Sequence, residues 1–362
     1  MWQAMEDLGI GANLIMAVKN YYKQNHARIK LGNKLTHSFE TSKGLRLGCC
    51  LSPTLFKIYL DRSLVRWTKK CRNMGMKVGD DNLFTLYFAD DQIVVAEDED
   101  DLAYMVRKLR EEYELAGLTL KMSKCEYLIV GDEEIKNLNL DNEMIKGVEK
   151  CKYLGAILNK QGNSKDEIQE RINKGRTVTR TLNSLLWDKN ITKSTKKHIY
   201  RSMVQSVALY GAEVWDVSQI NRRKIMATEM DFLRRSCRRS RLERVRNEII
   251  RAEMDMGRSI AEEIERKQLV WFGHVKRMLD DRWPRKVLEW VPPERRKRGR
   301  PRRSWRDDVE EAMSARDLEE DTCHDRKRWK LGRRNGDSCK ESVIYIYIIL
   351  VLFSEKKESF MG

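Results

Sequence analysis

Tyr87-Phe88-Ala89-Asp90-Asp91 sets two carboxylates side by side between two apolar runs. Leu83, Phe84, Leu86 and Phe88 lie before them, and Ile93, Val94, Val95 and Ala96 follow. Apolar run, short polar break and second apolar run form the pattern of strand, tight turn and strand, which predicts Asp90 and Asp91 at a hairpin tip. Adjacent acids repel each other, and a fold that presents them usually neutralises them with a divalent cation. Paired Mg²⁺ ions on clustered carboxylates clamp the attacking and leaving oxygens in phosphoryl transfer. An isolated Asp-Asp pair reads first as an acidic turn, because acids are common in turns. The surrounding sequence decides between the two.

With 362 residues the chain has room for two or more domains and a sizeable core. Charged residues make up 35% and hydrophobic residues 41%, the balance of a surface-rich protein. The net charge of +16 is concentrated: residues 222–307 hold 27 Lys/Arg against 14 Asp/Glu, a net of +13. So basic a block implies a polyanionic partner, most simply nucleic acid. An anionic membrane surface fits less well, since no continuous apolar face is interleaved with the charge. The eight cysteines are scattered, without a CxxC pair and with no recognisable signal peptide ahead of them. They are expected to be reduced thiols of an intracellular protein, nuclear and/or cytoplasmic. Cys323, His324 and Cys339 are too irregularly spaced for a zinc site. The apolar run at 343–353 falls short of the roughly 20 residues a membrane span needs, and no membrane partner is expected. Its β-branched and aromatic alternation suits a strand or an aggregation-prone tail.

Along the chain, residues 2–22 carry Leu8, Ile15, Val18 and Tyr22 at helical spacing. Strand-like runs at 27–31 and 37–41 are joined through the turn signal Gly32-Asn33. Ser52 as N-cap with Pro53 at the first helical position predicts a helix running to about Cys71. Acids from Asp98 to Asp101 load the start of another helix, with Leu102, Met105, Val106, Leu109 and Tyr113 on its apolar face and Gly117 at its end. Strands are expected at 126–130 and 152–158, and helix from 164 to about 251. The class is therefore α+β, with a domain change near Gly162. Trp290-Val291-Pro292-Pro293 breaks structure ahead of the exposed basic residues Arg295, Arg296, Lys297, Arg298, Arg300, Arg302 and Arg303. Six tryptophans lie from Trp187 to Trp305, placed to serve as stacking platforms or, for about two in three, as packing residues. His274 has no partners for metal binding and reads as a packing or phosphate-contact residue.

The ordered features resemble the palm and thumb of a reverse transcriptase of the non-LTR (LINE-type) retrotransposon family. Gly44-Leu45-Arg46-Leu47-Gly48-Cys49-Cys50-Leu51-Ser52-Pro53 is similar to its RQG-x-x-LSP motif, and Tyr87-Phe88-Ala89-Asp90-Asp91 to its F/YADD motif. Gly117-Leu118-Thr119-Leu120-Lys121-Met122-Ser123-Lys124 resembles GLxLNxxK, and Tyr153-Leu154-Gly155 the YLG primer-grip turn. Leu209-Tyr210-Gly211-Ala212-Glu213-Val214-Trp215, Trp271-Phe272-Gly273-His274-Val275 and Arg298-Gly299-Arg300-Pro301 resemble the family's thumb and C-terminal region. One such motif is weak evidence; this many in the right order are strong.

The resemblance implies template-primed DNA synthesis by two-metal phosphoryl transfer, with Mg²⁺ (or Mn²⁺), an RNA template, a DNA primer and deoxynucleotides. It makes Asp90 and Asp91 the metal ligands and Lys124 the residue that protonates or screens the departing pyrophosphate; a solvated strand-edge lysine is the alternative. Arg46, Gly48, Ser52, Pro53, Phe88 and Ala89 would line the nucleotide and template side, with Arg46 alternatively a solvent-facing loop cation. Tyr153, Leu154 and Gly155 would hold the primer 3′ end, and the basic residues 295–303 would bind nucleic acid. The expected organisation is a partial palm of antiparallel sheet and helices over 1–162, a helical thumb-like region over 163–251, a basic nucleic-acid-binding region over 252–313 and a disordered tail over 314–362.

Departures matter as well. Leu47 stands where the family has Gln, Cys50 where it has Pro, and Lys121 where it has Asn. In the family the segment resembling residues 2–10 follows a strand with another metal-binding Asp, and this chain begins at Met1. Asp7 in a helical pattern and Asp80 in a loop do not replace it. Two-metal chemistry needs carboxylates from both strands to hold ions about 3.5–4 Å apart. The expectation is weak Mg²⁺ binding at Asp90 and Asp91 and no polymerisation by the isolated chain, or else a non-catalytic RNA- or DNA-binding relic.

Overall fold

The structure is a computed structural model and describes residues 1–23, 25–41, 44–46, 48–131, 133–291, 304–332 and 350–352. The expected basic run at 295–303 lies outside these residues.

The four residues Ile93-Val94-Val95-Ala96 organise the first half, because all four are buried. Successive side chains on a strand point to opposite faces, and the two faces here meet different cores. Val94 and Ala96 join Leu60, Leu64 and Trp67 of helix Ser52–Lys70 and Leu102, Met105, Val106 and Leu109 of helix Glu99–Leu115. Trp67 is wholly buried and its indole N–H donates to the Met105 carbonyl at 2.8 Å, so the largest side chain of this core leaves no orphan polar atom. Ile93 and Val95 pack on the opposite side with Met76, Val78, Leu83, Leu128, Val130 and Cys151. That second core is closed by Trp283, Val287 and Trp290 of the helix Trp283–Glu289 and the residue after it. The chain thus returns to the sheet some 200 positions later, and Lys286 Nζ pairs with Asp81 across the junction at 2.5 Å.

Of the two helix starts expected from acids and hydroxyls in the first half, one holds as read and one shifts by a residue. Asp98 caps helix Glu99–Leu115 by accepting from the Asp101 N–H at 2.8 Å, and three acids fill the first turn. Ser52, expected as N-cap, is instead the first residue of its helix, with Leu51 at the cap. Its hydroxyl donates back to the Arg46 carbonyl at 2.7 Å, which closes the preceding loop onto the helix start. Pro53 keeps its expected place in the first turn.

The hairpin strands Thr85–Phe88 and Asp91–Val94 pair antiparallel with Phe88 opposite Asp91. Strand Leu350–Leu352 pairs antiparallel along the other edge of Asp91–Val94, placing Leu352 opposite Asp91. A second hairpin, Lys150–Tyr153 with Ala156–Asn159, carries the Tyr153-Leu154-Gly155 turn.

From Lys165 to Gly332 the described residues are helical apart from short turns and connecting segments. Helices Lys165–Thr181, Gln219–Ser236 and Ile260–Lys276 share one core of Ile168, Ile172, Ile225, Ile260 and Ile264 with Trp215. Packing therefore runs across residue 251, where a change of region was expected. Capping boxes at Ser259/Glu262 and Ser304/Asp307 start helices Ile260–Lys276 and Trp305–Ser314.

The expected disordered tail over 314–362 is corrected for its first part. A 3-10 turn at Glu320–His324 and a helix at Arg326–Gly332 bury Cys323 and Trp329 against Leu269 and Phe272. Trp329 supplies the apolar surface that the polar composition of this stretch conceals, and its indole N–H donates to the Leu269 carbonyl at 3.0 Å. Gly273 of the Trp271-Phe272-Gly273-His274 motif is required there: a Cβ at that position would meet Trp329 Nε1 at 2.3 Å. Among the described residues no helix is long and apolar enough to cross a membrane.

Candidate active site

Register Phe88↔Asp91 leaves Ala89 and Asp90 as a two-residue hairpin turn. Ala89 has φ +54°, a left-handed conformation that a glycine would adopt without strain. A non-glycine residue there costs on the order of 1 kcal/mol, which the surrounding structure must offset. The support lies directly beneath. Tyr113 donates to Gln92 Oε1 at 2.7 Å, Gln92 Nε2 donates to the Thr85 hydroxyl at 2.8 Å, and that hydroxyl donates to the Ile93 carbonyl at 2.6 Å. Tyr113 and Gln92 are fully buried, so this polar chain is satisfied inside the apolar core and fixes the two strands against the long helix. Burial pushes the Tyr113 hydroxyl far above its ordinary range, so it remains a donor.

Above this base Asp90 is exposed and Asp91 half-buried. Burial pushes the Asp91 carboxyl above the usual carboxylate range and the neighbouring Asp90 charge adds to that, while Lys124 pulls the other way. Lys124 ends an exposed 3-10 turn, Met122–Lys124. Phe88 is 66% exposed beside the acids, a large apolar ring left uncovered. Two adjacent carboxylates, one destabilised in its charged form, match the needs of a hard oxygen-seeking cation. Among the described residues no group of three or more His, Cys, Asp or Glu gathers as a metal site. The fit to a divalent ion is therefore that of two ligands.

The Tyr153 turn lies within the field of this pair: burial raises the Tyr153 hydroxyl and the Asp91 charge raises it further. Leu154 and Gly155 both have positive φ, +47° and +84°, the pattern of a type I′ turn. Residues outside the resemblance motifs hold it, together with one from the 209–215 motif. Tyr210 donates to the Leu154 carbonyl at 2.6 Å, and Arg171 Nη2 donates to the Gly155 carbonyl at 2.5 Å. The Arg171 guanidinium lies 4.5 Å from the Tyr210 ring centroid. Arg171 also pairs with Glu167 one helical turn earlier, and Glu167 Oε2 accepts the Ile157 N–H at 2.8 Å. Both charged side chains are nearly fully buried. The i,i+4 spacing of Glu167 and Arg171 was the sequence signal for this pair; nothing local indicated the turn as their target.

Arg46 and Ser52 are brought together, but around the first helices rather than against the carboxylates. Arg46 Nε donates to Asn25 Oδ1 at 2.8 Å and Nη2 to the Tyr21 carbonyl at 3.0 Å, with the guanidinium 4.3 Å from the Tyr21 ring centroid. Gly48 has φ +78°, which explains the residue by backbone conformation.

The class is α+β: a hairpin bearing paired carboxylates is backed by two helices, and the clamped Tyr153 turn feels the Asp91 charge. Residues 2–158 match the family described as reverse transcriptase (RNA-dependent DNA polymerase). A transposon-derived protein of Caenorhabditis elegans is 26% identical over 280 residues, 70% of this chain and 96% of that protein. The Pol polyprotein of the type-1 retrotransposable element R2 of Nasonia vitripennis is 26% identical over 176 residues, 44% of this chain and 16% of the polyprotein. The R2 polyprotein of Popillia japonica is 23% identical over 176 residues, 46% of this chain and 29% of its own length. The likeness to the reverse transcriptase family thus spans residues 2–158, and the likeness to the R2 retrotransposon polyproteins covers under half of the chain.

Proposed function

We propose that this chain provides the palm and thumb of an RNA-directed DNA polymerase of a non-LTR retrotransposon, engaging an RNA template, a DNA primer and deoxynucleotides. The observation that supports this reading is the pairing of the Asp90-Asp91 hairpin with the clamped Tyr153-Leu154-Gly155 turn beside it. Asp90 and Asp91 would hold Mg²⁺ or Mn²⁺, which when bound supplies positive charge to the phosphate oxygens. The turn holds the primer terminus, and the exposed Phe88 and Ala89 face the incoming nucleotide. Lys124 supplies a proton or a positive charge to the pyrophosphate that leaves when the primer 3′ oxygen bonds to the α-phosphorus. Arg46, Gly48, Ser52 and Pro53 shape the loop on the template side.

Two carboxylates leave most of an octahedral oxygen shell to water or substrate, so the chain by itself binds the ion weakly. Calorimetric Mg²⁺ titration together with primer extension on an RNA template tests the reading. Weak binding that Asp90→Ala removes, with salt-sensitive binding of template-primer, supports it. Extension undiminished in Asp90→Ala refutes the assigned site, and binding of template-primer with no metal dependence in any assay leaves a nucleic-acid-binding relic instead.

A further inference from the structure

A cleft in the helical body, lined by residues that none of the resemblance motifs contain, has a volume of about 540 Å³ and is strongly cationic. Arg176 and Arg180 enter it from consecutive turns of helix Lys165–Thr181, and Arg234 and Arg235 from helix Gln219–Ser236. The loop that follows adds Arg239 and Arg241. Trp187, 42% exposed, forms part of the wall.

Asp231 pairs with Arg235 at 3.2 Å and Arg241 at 3.5 Å, and Glu243 pairs with Arg239 at 3.1 Å. Arg234 Nη2 donates to the Val245 carbonyl and Asn247, but its Nη1 is buried with no hydrogen-bond partner. The side chains of Arg176 and Arg180 make no hydrogen bond or ion pair among the described residues. Three guanidinium groups therefore line the cleft without an ion pair among the described residues, one with a buried donor left open. An unmade hydrogen bond at a buried charged donor is costly, and an anionic oxygen would relieve it.

The geometry points to a binding site for single-stranded nucleic acid, with phosphates on Arg176, Arg180 and Arg234 and an unpaired base stacked on Trp187. Planar guanidinium groups suit phosphate oxygens bidentately, and an exposed indole is a sequence-tolerant platform for a base face. A duplex offers no such face, because its bases already stack on one another. The volume accommodates a nucleotide or two, not a helix. This site is independent of the metal-binding carboxylates and goes beyond the polymerase reading.

Fluorescence anisotropy on the full chain with a labelled 12-nucleotide oligo(U), and with a duplex of the same length, tests it across a salt series. Arg176→Gln/Arg180→Gln is expected to weaken single-strand binding about tenfold or more and to flatten the log–log salt slope by about 1.4, the value for two lost phosphate contacts. Trp187→Ala is expected to weaken binding roughly tenfold with the salt slope unchanged, because stacking is not ionic. Lys34→Gln, at an exposed position of the hairpin formed by Lys30–Leu31 and Lys34–Leu35, serves as the charge control and should leave both quantities as they are; the binding assay is run without divalent metal, so failure here is distinguishable from failure of the polymerase reading. Both variants lie at exposed or half-exposed positions, and circular dichroism melts confirm that they fold. Unchanged affinity and slope in the arginine double variant would overturn the proposal. So would equal loss of duplex and single-strand binding in Trp187→Ala, or complete displacement of the oligonucleotide by millimolar inorganic phosphate.

Discussion

Replacing Arg171 by Met should be among the most damaging single changes in this protein, and its cost can be worked from its contacts. The side chain is buried, pairs with the equally buried Glu167, donates to the Gly155 carbonyl and stacks on Tyr210. Met keeps much of the apolar volume, so the cavity term is small. What is lost is the counter-charge of a carboxylate that then keeps only the Ile157 N–H as a partner. Breaking a buried pair from one side typically costs about 3–5 kcal/mol, since the remaining charge stays desolvated. For a body of this size that corresponds to a fall in Tm of roughly 6–20 °C. The companion variant separates charge from packing. Arg171→Met with Glu167→Gln removes the orphaned charge, and should recover at least half of the loss even though one more native group is gone. Differential scanning calorimetry of wild type, both single variants and the double variant forms the cycle. If Arg171→Met lowers Tm by less than about 3 °C, or if Glu167→Gln fails to rescue it, the clamp is not the electrostatic unit described above.

Three further outcomes follow from other contacts. Gly273→Ala should cost about 1–3 kcal/mol by overpacking against Trp329, and Trp329→Phe in the same chain should relieve part of it, both read from thermal melts. Lys196 is buried and donates to the carbonyls of Leu186, Asp188 and Ser236 at 2.6, 2.9 and 3.2 Å, so Lys196→Met should strand those acceptors and destabilise by about 3 kcal/mol in urea unfolding. Asp91 carries a raised carboxyl pKa in the folded state, so the folded chain binds a proton more readily there than the unfolded chain does. Its contribution to stability is fully present below the unfolded carboxylate range, near pH 4, and is lost as pH rises through the folded value. Asp91→Asn should therefore raise Tm at pH 7 in metal-free buffer and lose that advantage near pH 3; an equal gain at both pH values would contradict the assignment.

Much of the palm was legible in the sequence because its signals are local. The buried apolar run Ile93 to Ala96, the acidic cap at Asp98 and the proline-led helix at Pro53 each follow from a few adjacent residues. Ser52 shows where such local reading fails, since a hydroxyl at a helix start has more than one acceptor in reach and here chooses the Arg46 carbonyl. Arg46 likewise met an aromatic ring and an asparagine 21 to 25 positions earlier, which no spacing rule encodes. The region around Trp329 was obscured by composition: few apolar residues surround it, yet two buried side chains suffice to dock a short helix. The cationic cleft was hidden for a different reason. Its arginines are spread over 66 positions, and only helix packing shows which of them have an acid to pair with.

The two turns that carry the candidate chemistry share a physical problem and solve it differently. Ala89 and Leu154 are both non-glycine residues held at positive φ, a conformation that each would leave if its hairpin were free. Beneath Ala89 the restraint is a buried neutral chain, Tyr113 to Gln92 to Thr85, whose members are a strand, its partner and a helix of the same core. Around Leu154 the restraint is ionic and comes from the helical body, through Arg171 and Tyr210. The first turn therefore depends only on the palm. The second is held by side chains of the helical body, so loosening that junction would disturb the Tyr153-Leu154-Gly155 turn while leaving the carboxylates in place.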